Sequence, residues 1–187
     1  MESFLLLDET RPAPKKEEIL IYTCVILVTG FVVFKVVCKT FSVEEKEISE
    51  EEYNRGYKEL KDNNVSVFDV AFNNIANGVI YSPIAEELFF KIFLMKYALR
   101  KFEPEVRNVT QAVCFGLIHK GNSIYSNQTQ QFTNIQALCS FINGFISGWV
   151  FIKCNSAVPC ILAHMINNGI AGTAETIGYY NYLSSER

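Results

Sequence analysis

The sequence predicts an all-α, polytopic membrane protein with about four to six membrane helices, and three observations carry that prediction. Hydrophobic residues make up 49% of the 187-residue chain and charged residues only 20%, with a mean hydropathy of +0.13. The charge is segregated, lying before residue 18, between Lys39 and Asp62, and around Lys96 to Arg107. Between those places run apolar stretches too long and continuous for the alternating strands of a membrane barrel, and lipid offers no other way to satisfy backbone N–H and C=O groups. The net charge of −3 supplies no basic field for nucleic acid, so the expected surroundings are membrane lipid.

Taken in order, residues 1–18 form a polar N-terminal tail. Residues 19–38 follow as a membrane anchor helix, because the uncharged run from Ile19 to Phe34 continues past Lys35, whose long stem can snorkel, to Cys38. No small-x-small cleavage pattern follows that run, so it reads as retained rather than as a cleaved signal. Residues 39–64 are an acidic, exposed, partly helical connector. The remainder, 65–187, is the helical core. In it Pro83 is expected to start the helix that carries Glu86 and Glu87, and the charges from Lys96 to Arg107 are expected to form a turn. Ile135 to Phe151 is a span with Ser140, Gly144 and Gly148 on a small-xxx-small ridge that admits a neighbouring helix. Ala157 to Ile177 is apolar but interrupted by His164, Asn167, Asn168 and Glu175. Six cysteines lie in or beside apolar runs without any CxxC pair and read as small buried hydrophobes. Sequons at Asn64, Asn108 and Asn127 would place Asn108 across the membrane from the other two if 65–100 crosses once and 109–119 belongs to one further crossing.

Within the core, ionisable residues stand where they are costly. Glu86 and Glu87 lie in the apolar run from Ser82 to Tyr97, and both histidines of the chain, His119 and His164, lie in apolar stretches. Intramembrane ionisable groups face the bundle interior and find one another, so one shared polar pocket is expected. Successive helical residues point about 100° apart. Glu87, four before Lys91, can therefore be neutralised within its own helix, leaving Glu86 to face the pocket beside His119. There a carboxylate can act as general base on water, while His164 and Asn168, one turn apart, offer donors for an oxyanion. Glu86, His119 and His164 are also residue types that could hold zinc, although no HExxH is present.

These residues resemble a family. EExxxR, FxxxH and HxxxN, in that order on consecutive membrane helices, are the motifs of the CAAX-protease and bacteriocin-processing family of intramembrane endopeptidases, also called ABI. Here they read EELFFK (Glu86–Lys91), FGLIH (Phe115–His119) and HMINN (His164–Asn168), within a resemblance covering roughly 80–172. Lys91 stands where the family usually has arginine, keeping the charge but losing the bidentate fork. The resemblance implies a peptide bond attacked by water that the first glutamate and the FxxxH histidine hold, with the last histidine and asparagine stabilising the oxyanion. It also implies no metal and a membrane-attached or lipidated peptide or protein substrate, such as a prenylated CAAX protein. Eukaryotic members sit in the endoplasmic reticulum. Two other classes compete: a family member kept as a scaffold or binding protein without turnover, and a small channel-like or structural membrane protein. A channel would spread its polar residues along a helix face, whereas here they concentrate at three points, and a scaffold would be free to lose them.

Overall fold

The computed structural model describes residues 2–40, 45–121 and 130–185, and among these it is an all-α bundle with one isolated antiparallel bridge, Leu6 to Ser156. A 3-10 turn, Glu2–Leu5, precedes α1 (Lys16–Thr40) and α2 (Glu45–Asp62). The next helix, α3, is one continuous run over 67–98. It is built from Val67–Asn73 and Ser82–Glu87 in α geometry alternating with Asn74–Tyr81 and Leu88–Ala98 in π geometry. Then come α4 (Pro104–Lys120), α5 (Gln130–Cys154) and α6 (Val158–Ser185).

Helix α1 extends beyond the expected 19–38 and is packed into the bundle. One face exposes Leu20, Ile21, Val28, Phe31 and Val32, a stripe that lipid covers without cost. The opposite face buries Ile26 and Gly30, and its Val37 and Cys38 pack on Ile135 and Cys139 of α5. Both α1 and α5 are long and apolar enough to cross a membrane, with mean hydropathies of 2.4 and 1.6 in their most apolar windows. Helices α3 and α6 carry the polar insertions that lower theirs. A central apolar cluster of Ile26, Ile92, Met95, Val150, Phe151, Cys160 and Ala163 joins α1, α3, α5 and α6.

Several elements differ from expectation for identifiable reasons. Within residues 1–18, expected as a polar tail, the run Leu5–Leu7 docks on the α5–α6 connection. There Ala157 N–H donates to Leu5 O (2.9 Å), and Asn155 closes a reciprocal pair with Asp8 backbone groups (2.8 and 2.9 Å). Asn155 adopts φ 57°, a left-handed conformation that asparagine tolerates. The connector is not wholly exposed: Tyr57 of α2 is buried against Val70 and Tyr179. Pro83 does not begin a helix. A Ser66–Asp69 capping box starts α3 seventeen residues earlier (66 to 83), and the π-wound turns before Pro83 accommodate its missing N–H. The charged segment does form the expected turn, closed by Phe102 N–H on Leu99 O (2.9 Å), and its far end also starts α4, with Pro104 in the first turn. Among the cysteines, Cys38, Cys139, Cys154 and Cys160 are buried, Cys114 is half-buried, and Cys24 is exposed on α1.

The small-residue ridge sits where α5 meets α4. A Cβ on Gly144 would stand 3.2 Å from the Phe115 ring, and one on Gly116 of α4 would stand 2.9 Å from Ala137 O, so each helix supplies a glycine to the close approach. Asn108 is buried in this interface, so its sequon is not presented on a surface, while the Asn127 sequon lies outside the described residues.

Candidate active site

The two glutamates end the short α segment of α3, and the π-wound Leu88–Ala98 stretch follows, with Leu99 N–H reaching back five residues to Leu94 O (2.9 Å). Such winding offsets the side-chain register and is common at functional sites. Glu87 points inward and is only 4% exposed. Its Oε2 lies 3.5 Å from Lys91 Nζ, the expected i,i+4 pair, and its Oε1 lies 3.1 Å from His164 Nδ1 of α6. Glu86, about 100° further round, accepts a hydrogen bond from Ser82 Oγ on Oε1 (2.6 Å). Its Oε2 is buried without a hydrogen-bond partner, 3.9 Å from His164 Nε2.

Lys91 is 1% exposed, and an ammonium there must be met on more than one side. Its Nζ donates to Gln111 Oε1 (3.0 Å), and Gln111 Nε2 donates to Gly144 O (2.6 Å) and Asn108 Oδ1 (3.0 Å). Asn108 Nδ2 in turn donates to Phe145 O (3.0 Å). A buried polar chain therefore runs from His164 through Glu87, Lys91 and Gln111 to Asn108. Gln111 and Asn108 are not among the site residues expected from the sequence. Their signal was the spacing 108, 111, 115, one face of α4 shared with Phe115, obscured because Asn108 also heads a sequon.

His119 Nδ1 lies 2.9 Å from Phe115 O, one turn back on its own helix, so a neutral ring placing its proton there leaves Nε2 as an acceptor. The Phe115 ring packs on His119 (centroids 4.6 Å apart) and meets His164 edge-on (6.1 Å), with Phe90 against its other side (5.0 Å). Asn168 donates from Nδ2 to Gly78 O (2.9 Å) in the π-wound part of α3, and its second amide hydrogen remains. Beside it, Asn74 Nδ2 reaches Gly172 O (3.1 Å), so α3 and α6 are joined by side-chain amides at two levels.

A cavity of about 210 Å³ lies between these groups, lined among others by Glu87, Phe115, His119, Ser140, Asn143, His164 and Asn168. The shared pocket thus holds Glu87, both histidines and Asn168, and Glu86 is not among its lining residues. The expected division of labour between the glutamates shifts accordingly. Glu87 pairs with Lys91 through one oxygen only, and the other is free to reach His164 across the cavity wall. The imidazole beside Glu86 is His164 rather than His119, because His119 folds back over Phe115. Glu86, His119 and His164 do not converge as zinc ligands: His164 turns both ring nitrogens toward the glutamates. Among the described residues no three His, Cys, Asp or Glu side chains form a metal-binding group.

The chain matches no curated protein and no solved structure. It does match the family model described as type II CAAX prenyl endopeptidase Rce1-like, over residues 70–170. That stretch is more than half of the chain and contains Glu86, Glu87, Lys91, Phe115, His119, His164 and Asn168. An all-α membrane bundle whose Glu87, Phe115, His119, His164 and Asn168 line one cavity, matched over that span, belongs to the Rce1-like family of type II CAAX prenyl endopeptidases.

Proposed function

We propose that this protein is a multi-pass intramembrane endopeptidase in which Glu86 activates water against a peptide bond of a membrane-attached, prenylated substrate. The observation that carries the reading is the uncommitted Glu86 Oε2, buried, without a hydrogen-bond partner and 3.9 Å from His164 Nε2. A buried carboxylate oxygen without a partner is costly, and a single water placed off the line between these two atoms would touch both. Ser82 orients the carboxylate from the other side.

In the step we propose, Glu86 takes a proton from the water as its oxygen bonds to the substrate carbonyl carbon. The carbonyl π pair moves onto oxygen, and His119 Nε2 accepts a hydrogen bond from the same water. With a proton on each ring nitrogen, His164 donates one to Glu87 and shifts the other from the water to the oxyanion as it forms, and the second amide hydrogen of Asn168 adds a further donor. Collapse breaks the C–N bond, and Glu86 returns its proton to the leaving amine nitrogen. Glu87, Lys91, Gln111 and Asn108 act on His164 through their hydrogen-bonded chain and hold its ring. In this reading the carboxylate activates the water without a metal. In a eukaryotic host the expected location is the endoplasmic reticulum membrane.

The test is cleavage of a prenylated CAAX peptide in proteoliposomes beside an unprenylated control. Release of the terminal tripeptide from the prenylated peptide alone supports the substrate class. Cleavage of neither by well-folded protein would favour the scaffold reading.

A further inference from the structure

One wall of the cavity carries polar side chains that the proposed chemistry does not use. On α5, Gln136, Ser140, Asn143 and Ser147 all line it, spaced four, three and four residues apart, which places them on one helix face. Ser147 Oγ is satisfied by Gly144 O (3.1 Å). Asn143 differs: its Oδ1 is buried and has no hydrogen-bond partner. Across from it α1 approaches closely at Gly30, where a Cβ would lie only 3.3 Å from Oδ1. A buried amide oxygen without a donor implies a donor that arrives with a ligand.

Resting on the peptidase reading above, we infer that Gln136, Ser140 and Asn143 form a rail that binds the main chain of an extended peptide substrate, with Asn143 Oδ1 accepting one substrate N–H. Three physical points lead there. A peptide bond open to attack is unwound from helix, and inside a membrane its released N–H and C=O groups need partners from the protein. Amide and hydroxyl side chains both donate and accept, as a main chain requires, and they carry no charge that would select a particular side chain. The spacings also agree: residues three or four apart on a helix rise about 4.5–6 Å, and alternate residues of an extended peptide repeat at about 6.6 Å. The cavity, with room for roughly seven waters at about 30 Å³ each, has space for a short stretch of main chain between this wall and His164.

The experiment is an ester scan. In a prenylated CAAX peptide, each main-chain amide near the cleavage site is replaced in turn by an ester, which deletes one N–H. Each peptide is assayed for turnover by wild type and Asn143→Leu, and for binding by fluorescence anisotropy to Glu86→Gln with and without Asn143→Leu. One ester position should weaken KM and Kd by about three- to tenfold, as for one neutral hydrogen bond. Asn143→Leu should weaken the all-amide peptide by a similar factor, leave kcat within about twofold, and make that ester position silent. If no ester position is sensitive in wild type, or if the two losses multiply, the rail is wrong, and water or detergent is what fills the wall. Should Asn143→Leu fail to fold, Asn143→Ala takes its place with the same expected silencing of that ester position. Binding that shows the pattern without turnover would overturn the catalytic reading and leave the rail standing.

Discussion

Replacing Lys91 by methionine keeps most of the side chain's length and removes a buried charge at 1% exposure. At 3.5 Å and an effective dielectric near 20, the lost attraction to Glu87 is about 5 kcal/mol. Against this stands the relief of no longer burying an ammonium, of similar order, so the net loss comes from the groups left behind. These are a Glu87 carboxylate with only His164 to meet it and a Gln111 Oε1 without its donor. Removing one partner of a buried pair costs about 3–5 kcal/mol, whereas removing both is often close to neutral. For a chain of this size the single variant should lose about 6–20 °C in Tm. Glu87→Gln should lose a comparable amount by stranding Lys91. The double variant Glu87→Gln with Lys91→Met should stay close to neutral, well short of the about 6–10 kcal/mol that the two single losses would give if they added. The assay is thermal unfolding of the purified proteins in one detergent. Additive losses, or a Lys91→Met protein as stable as wild type, would refute the coupled buried pair.

Other consequences are as direct. Gly148→Leu would drive a side chain into Asn108 and Gln111, which a Cβ there already crowds (2.6 Å from Gln111 Nε2), so folded yield should fall sharply; normal yield would show that α4 and α5 are not in close contact. Asn108, buried and bonded to Phe145 O, should stay unglycosylated in a glycosylation-competent membrane system, read as the absence of an endoglycosidase-sensitive gel shift at that site. Asn168→Ala should lower kcat by about 10²–10³ through loss of one oxyanion donor, with Tm down by only a few degrees from the lost bond to Gly78 O; an undiminished kcat would remove Asn168 from that role. A chelator should leave turnover within twofold, and full loss restored by zinc would replace the metal-free step.

The helical membrane class was legible because it rests on segregated charge and continuous apolar runs, signals that survive without any tertiary information. Glu87 with Lys91 was legible for a similar reason, since an i,i+4 pair is a property of one helix. What crosses between helices was not. That His164 rather than His119 meets Glu86 depends on how α6 leans on α3, and on the carbonyl of Phe115 claiming His119, neither of which spacing records. Gln111 was missed because a neutral polar residue in an apolar stretch looks like glue until the ammonium it caps is placed beside it. Pro83 misled for the opposite reason: its usual meaning, a helix start, gave way to π-wound turns that absorb it within a longer helix.

The claim at the centre is that Glu86 is the base, and one measurement meets it most directly: turnover of a membrane-bound prenylated peptide by purified Glu86→Gln beside wild type. The amide keeps the size of the carboxylate and can still accept from Ser82, so the protein should remain folded, with an unchanged or raised Tm. Cleavage should fall to background, because an amide cannot take the proton from water. Glu86→Gln that cleaves as fast as wild type would contradict the account and remove Glu86 from the chemistry.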